Sequence, residues 1–367
     1  MKRGLYIHIP FCRQKCYYCD FASFSGKEPQ IDSYLQALAK EAATHRGKEC
    51  QTLYVGGGTP SLLSVSQIRT LGDIITQNFG RINCFAESTF EANPESLTPD
   101  KIETLRLLGF NRLSMGLQSF NEHELRVLGR IHNVAQFMQA YQRARSCGFK
   151  NINVDLIAGF PQQTLTSFTQ SLEHLLALEP QHISVYGLQV EEGTRFFEQG
   201  IVCNQALMRC MLEKAHDYLT QAGYHHYEIS NFALPGKEAQ HNTHYWHNGE
   251  YIGLGSAAAS YENGTRRQNV SCLETYITRV MHDQSPVDFA ETLQDKAREG
   301  ETLLLAFRQL DGVELTAKQQ DLFGAEIERH IQKGLLTRAH KKVKLTKEGL
   351  YMANEVFRSF VAPFEDA

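Results

Sequence analysis

Six apolar, β-rich runs alternate with amphipathic stretches over the first two-thirds of the chain, and this rhythm restricts the fold more than any other feature. The runs are "LYIHI" (5–9), "TLYVGG" (52–57), "CFAESTFEA" (84–92), "RLSMGLQS" (112–119), "INVDLIAGF" (152–160) and "ISVYGLQV" (183–190). Helical patterns lie between them near 31–46, 65–79, 98–108, 133–147 and 165–178, with capping signals such as "SVSQ" (64–67) and "TPDK" (98–101). Strands separated by helices predict an α/β fold with a parallel sheet and right-handed crossovers. A doubly wound sheet and a (β/α) barrel satisfy this pattern equally. As a barrel, six units leave it incomplete and open on one side.

The rhythm changes after residue 200. A helix near 205–222 precedes a stretch rich in histidine and aromatic residues, 223–261. From about 290 the chain turns helical and charged, and 315–357 reads as helix, helix, short β-wing, helix. This predicts a smaller, mainly helical, winged-helix-like C-terminal domain over 290–367. Its wing "KKVK" (341–344) reads as a solvated basic hairpin and not as a nucleic-acid contact.

The three cysteines of "FCRQKCYYCDF", at Cys12, Cys16 and Cys19, directly follow the first strand. That places them on a βα loop, on the face where α/β folds bind ligands. A closed structural zinc site wants four ligands, and here His8 is the only nearby candidate for a fourth. An iron–sulfur cluster uses the same thiolates, and three of them leave one iron open to a ligand. The other six cysteines have no motif spacing. Nine in all, an odd number, without a secretion signal, favour a reducing cytoplasm. The opening "MKRGLYIHIPF" reads as a first strand, not a signal peptide. Net charge is 37 − 41 = −4, which gives no global attraction to nucleic acid, and no apolar run approaches the roughly 20 residues of a membrane span.

Further polar residues sit near the C-terminal ends of the predicted strands. "YVGGGTPS" (54–61) places three glycines after the second, where a ligand can approach backbone closely. "FEAN" carries Glu91, "GLQSF" Gln118 and "VDLIAGFP" Asp155, a set positioned alike and so predicted to share one polar pocket. Arg130, in "LGRIH", is expected to meet a carboxylate there in bidentate fashion.

CxxxCxxC with Tyr18 before the last cysteine resembles the cluster loop of the radical S-adenosylmethionine (SAM) superfamily. Together with "YVGGGTPS", "FEANPE", "RLSMGLQSF", "LGRIH", "NVDLIAGFP" and "YEISNFA", it resembles the oxygen-independent coproporphyrinogen III dehydrogenase family over nearly the whole chain, and most closely that family's heme-chaperone branch, the HemW-like proteins. The resemblance implies a partial (β/α)6 TIM-like barrel of radical SAM type over 1–235, a heme-binding connection over 236–289 and the C-terminal domain. It also implies that Cys12, Cys16 and Cys19 hold a [4Fe–4S] cluster, and that Tyr6, Tyr18, Gly57, Gly58, Thr59, Glu91, Gln118, Arg130, Asp155 and Gln189 line the SAM site.

Three features separate the chaperone branch from the dehydrogenases. The dehydrogenase loop resembles CxxxCxxCxC, and here position 21 is Phe. The dehydrogenases carry an N-terminal extension, and here eleven residues precede Cys12. "HNTHYW" (241–246) resembles the HNxxYW heme motif of the chaperones. Imidazole ligates heme iron, and Tyr245 and Trp246 offer flat apolar area for a porphyrin face. His241 is the expected ligand, with His244 and His247 as competitors. The resemblance implies a cytoplasmic protein that passes heme to apo-hemoproteins, respiratory ones among them. Transient contact at a membrane surface and a homodimer are options it leaves open. The rival function is oxidative decarboxylation of coproporphyrinogen III.

Overall fold

The computed structural model describes residues 3–361. The outermost residues of the first and last expected domains lie outside that range. Six strands, β1 (Arg3–Ile9), β2 (Cys50–Gly57), β3 (Glu87–Ala92), β4 (Arg112–Gln118), β5 (Ile152–Ala158) and β6 (His182–Gly187), pair in parallel in chain order. The crossovers contain α1 (Ile31–Ala43), α2 (Val65–Phe79), α3 (Pro99–Leu108), α4 (Val134–Ser146) and α5 (Leu165–Leu176). α6 (Gln205–Gln221) follows β6. Ser64 and Gln67 form the reciprocal capping box expected at α2, whereas Thr98 makes no side-chain cap and α3 instead opens on Pro99.

Both edges of this parallel block are extended. β7 (His225–Glu228) and β8 (Asn231–Ala233) add antiparallel strands beyond β6. After α7 (Gln240–Trp246), β9 (Tyr251–Leu254) pairs parallel with β1. β10 (Ala259–Glu262), β11 (Thr265–Asn269) and β12 (Val287–Thr292) follow as antiparallel strands, with α8 (Leu273–Met281) packed on α1. The twelve-stranded order is β12-β11-β10-β9-β1-β2-β3-β4-β5-β6-β8-β7, so the sheet ends on β12 and β7. The segment expected as a connection, 236–289, thus supplies β9, β10 and β11 to the main sheet.

Period-two alternation divides the parallel strands cleanly. Leu5, Ile7, Leu53, Val55, Phe90, Leu113, Val154 and Ile183 are fully buried against the helices and form the main apolar core. The alternate positions carry Tyr6, Tyr54, Glu91, Ser114, Asp155 and Ser184, and line the inside of the curved sheet.

A second core belongs to the C-terminal domain, where α9 (Asp295–Ala306), β13 (Val313–Glu314), α10 (Ala317–Gln332), β14 (Leu336–Ala339) and β15 (Lys342–Leu345) enclose Leu303, Phe307, Phe323, Ile327 and Val343. The small sheet, ordered β13-β15-β14, makes the wing beside α10. Among the described residues no helix is long and apolar enough to cross a membrane.

Candidate functional site

The inner face of the sheet is open at one end and sealed at the other. At the C-terminal ends of the strands Tyr6, Tyr54, Glu91 and Asp155 keep part of their surface open to the lumen. Toward the N-terminal ends Thr52, Glu87, Arg112, Asn153 and His182 are buried. α7 forms the floor. Glu87 accepts from the backbone N–H groups of Gln240 and His241, each at 3.0 Å, and so anchors the start of that helix to β3.

The cysteine loop lies at the open end. Cys12 directly follows β1, and a turn with Cys19 N–H donating to the Cys16 carbonyl at 3.2 Å brings the other two cysteines round. The backbone N–H groups of Gly58 and Thr59 donate to the carbonyls of Ile9 and Phe11, tying the glycine loop to the cysteine loop. A Cβ at Gly58 would lie 2.8 Å from the Phe11 carbonyl oxygen and 3.0 Å from Cys12 Sγ, and one at Gly56 would lie 2.9 Å from the Glu91 carboxyl carbon. The glycines are therefore required by close approach of the chain itself. Phe21 is 65% exposed.

Donors converge on the sulfurs. Thr59 Oγ1 donates to Cys12 Sγ at 3.4 Å, and Arg130 Nη1 donates to Cys16 Sγ at 3.4 Å. Asn93 joins the two arms, its Nδ2 donating to Thr59 Oγ1 at 3.0 Å and its Oδ1 accepting from Arg130 Nη2 at 2.7 Å. Burial pushes the Cys19 thiol up to about 11, with the neighbouring Cys16 and Cys12 adding to the rise, and burial raises the Cys12 thiol too. Thiols held in this way become thiolates when a cationic metal centre compensates them. His8 is not free to act as a fourth ligand, because Nδ1 meets the Tyr6 hydroxyl and Nε2 the Ala22 carbonyl, both at 2.8 Å. Among the described residues no three Cys, His, Asp or Glu side chains stand together as a site for a single metal ion, but the chemistry of the donor set, three thiols with donors on Cys12 and Cys16 and an adjacent guanidinium, suits an anionic iron–sulfur cluster.

Arg130 differs from expectation. Its Nη2 is spent on Asn93 and on the Gly116 carbonyl at 2.8 Å, and its Nε on His132 at 3.4 Å. The fork expected to receive a carboxylate is therefore committed to the cysteine loop and β4. Glu91 accepts from the Tyr54 hydroxyl at 2.5 Å and from Gly57 N–H at 3.3 Å. Burial, with Asp155 nearby, raises its carboxyl to about 7 against the pull of those bonds. Asp155 accepts from Asn153 Nδ2 at 2.7 Å, and burial raises it as well. Gln118 ends β4 at φ 73, next to a register shift, and its Oε1 is buried without a hydrogen-bond partner. The Gln118 side chain shares the space around Gly116 with Asn93 and Arg130, and an orphaned acceptor there is what a polar cofactor would satisfy. Tyr18 is half-buried by Arg130 and the cysteines, while Gln189 is exposed.

Five residues in this architecture, Asn93, Tyr54, Asn153, His182 and Glu87, receive no role from the sequence motifs. Asn93 shares its face with Glu91 two residues earlier, a period-two signal that marks it as inward-pointing. Tyr54 follows from the same rule. The Asn153–His182 bond, 2.6 Å, and the Glu87–α7 contact join residues too distant in the chain for spacing to reveal.

His241 lies at the sealed end. It is 1% exposed, with Nδ1 on Thr52 Oγ1 and Nε2 on the Tyr245 hydroxyl, both at 2.8 Å, and its ring stacks on Tyr54. Burial lowers it to about 3, keeping it neutral. Both nitrogens are occupied, so iron ligation requires one of these bonds to open. His244 Nε2 meets the Glu250 carbonyl at 2.7 Å, and His247 is exposed at the end of α7.

Residues 6–175 match the radical SAM superfamily. The chain is 35% identical to the heme chaperone HemW of Bacillus subtilis, over 98% of this chain and 99% of that one. For the heme chaperones HemW of Lactococcus lactis and Escherichia coli the identities are 34% and 33%, over 97% and 98% of this chain and 96% and 98% of theirs. The chain belongs to the HemW family. Its fold is similar to that of coproporphyrinogen III oxidase HemN from Escherichia coli, with a TM-score of 0.87 at 24% identity over 98% of this chain and 90% of that one. The HemW-family fold is thus the partial (β/α)6 barrel of radical SAM type with a smaller C-terminal domain.

Proposed function

We propose that this chain is a heme chaperone that binds a [4Fe–4S] cluster, SAM and heme and hands the heme to apo-hemoproteins. The observation that carries the reading is near-complete coverage by three relatives named heme chaperone HemW, supported by a cysteine loop in which Thr59 and Arg130 donate to the sulfurs of Cys12 and Cys16. Cys12, Cys16 and Cys19 hold the cluster, which when bound supplies one-electron reduction of SAM. Tyr6, Tyr18, Gly57, Gly58, Thr59, Glu91, Gln118, Asp155 and Gln189 are proposed to face SAM at the open end. Arg130 acts there through Asn93 and Cys16, steadying the loop.

His241 is the proposed heme ligand, with its bond to Tyr245 exchanged for iron. Receiving proteins of a respiratory chain, a cytoplasmic location, brief contact with a membrane surface and a homodimer belong to the same reading. The test is heme titration and transfer to a candidate apoprotein under anaerobic conditions, for wild type, His241→Ala and His247→Ala. Loss of binding in His241→Ala alone supports the assignment. Unchanged binding there removes His241 from it. Turnover of coproporphyrinogen III with SAM and a reduced cluster would replace the chaperone reading with the oxidative decarboxylase.

A further inference from the structure

The lumen contains a continuous file of aromatic rings that runs from the open end to the floor and outward. Tyr6 and Tyr54 stack at 6.2 Å between centroids, Tyr54 and His241 at 5.3 Å, and His241 and Tyr245 meet at 4.7 Å. Tyr245 meets Tyr251 at 4.5 Å, and Tyr251 meets Tyr261 at 6.4 Å, beneath the guanidinium of Arg266. Ring proximity alone is a packing feature. What distinguishes this file is that each inner phenol bonds a base. Tyr54 donates to the Glu91 carboxylate at 2.5 Å. Tyr6 donates to His8 Nδ1 at 2.8 Å, because His8 Nε2 faces a carbonyl and must carry the proton. Tyr245 lies 2.8 Å from His241 Nε2, and the tautomer that donates Nδ1–H to Thr52 leaves Nε2 to accept.

We propose that Tyr6, Tyr54, Tyr245, Tyr251 and Tyr261 form a redox path that carries an oxidising equivalent out of the lumen, past α7, to the outer strands. In each inner hop one electron leaves a phenol for its oxidised neighbour, and the phenolic proton moves to the bonded base. The base returns the proton when the next tyrosine reduces that phenoxyl; at Tyr251 and Tyr261, toward the outer edge of the sheet, the phenolic proton leaves to water on oxidation and is taken back from water on reduction. The initiating oxidant is an organic radical at the open end, which gains the electron and a solvent proton to become a C–H bond. The terminal reductant is a soluble thiol beyond Tyr261, which gives up one hydrogen atom and becomes a thiyl radical. The path draws a misdirected radical away from the sulfur-rich loop, and it links the two ends of the lumen electronically.

Pulse radiolysis of the full chain tests this without any bound cofactor, so the outcome is independent of the heme and cluster assignments. Azide radicals oxidise Trp246, the chain's single tryptophan and the sequence neighbour of Tyr245. 3-Aminotyrosine placed at position 54 serves as the hole trap. The expected result is first-order decay of the tryptophanyl signal, independent of protein concentration, with growth of an aminotyrosyl signal. Tyr245→Phe should slow that growth at least about tenfold. Tyr251→Phe, which removes the outward branch, should raise the yield at position 54. An aminotyrosyl rate and yield unchanged in both variants, or a rate that scales with protein concentration, overturns the proposal. A wild-type circular dichroism spectrum establishes that a variant is folded, and where one variant fails to fold the other decides.

Discussion

Glu87 accepts the first two backbone N–H groups of the helix that carries His241, each at 3.0 Å, although it lies 153 residues earlier in the chain than Gln240. A buried carboxylate on the first strand-end layer therefore fixes the floor of the lumen. Glu87→Ala removes a charged acceptor from two amide groups. It should lower stability by about 2 kcal/mol and the Tm by roughly 4 °C. Hydrogen exchange confined to 240–246 should accelerate in the same variant. Unchanged exchange there would mean the helix is held by packing alone.

Asn93 supports two sulfurs at once, through Thr59 to Cys12 and through Arg130 to Cys16. Asn93→Ala should therefore weaken cluster retention by about tenfold or more while leaving the fold intact. Iron and acid-labile sulfide after anaerobic reconstitution and desalting measure this. Cys16→Ala sets the floor of the assay, and Asn93→Ala should fall between that floor and wild type.

Glu91 gives the molecule a pH-dependent stability. Its carboxyl titrates near 7 when folded and near 4.5 when unfolded, because burial disfavours the anion. Between those values the folded state holds a proton that the unfolded state has lost. Stability contributed by protonated Glu91 is thus complete below about pH 4.5 and is lost as the pH rises toward 7. The upper bound is about 3 kcal/mol, reduced by the part of the side chain open to the lumen. Urea denaturation across this window should show wild type losing more stability with rising pH than Glu91→Gln. Parallel pH profiles would place the titration elsewhere.

The sequence made the strand–helix rhythm legible because each strand is short, apolar on its helix-facing side and followed by a turn. It made the cysteine loop legible because three ligands fall within eight positions. It did not reveal how the inward residues pair. Arg130 reads as a free carboxylate fork until the fold sets Asn93, the Gly116 carbonyl and Cys16 around it. His241 reads as an available ligand until Thr52, Tyr245 and Tyr54 enclose it. Tyr245 is one helical turn from His241, but the other deciding partners come from distant strands and loops, and local spacing holds no record of how those elements meet. The stretch 236–289 read as a connection because its strands are four or five residues long and paired to distant partners.

The last prediction concerns the seam between the barrel and the C-terminal domain. Arg308 lies 4.4 Å above the ring of Trp246, and its Nη2 is 3.9 Å from the buried Glu228. The backbone continues the contact, with Ile229 N–H donating to the Arg308 carbonyl and Leu310 N–H to that of Tyr227. Asn248 Nδ2, just beyond α7, donates to Thr302 of α9 at 2.9 Å. Arg308→Ala removes the cation above the indole and leaves Glu228 without its nearest positive charge. The loss should be about 1 kcal/mol from the ring contact, with a further part from the unpaired carboxylate. Because Trp246 is the single tryptophan, its emission reports this place without interference. The spectrum of Arg308→Ala should move to longer wavelength, and acrylamide should quench it more efficiently, as water reaches the exposed ring face. Arg308→Lys keeps a charge but not the planar stack, so its emission should fall between the two. Identical spectra for all three proteins would show that the guanidinium does not shield the indole in solution.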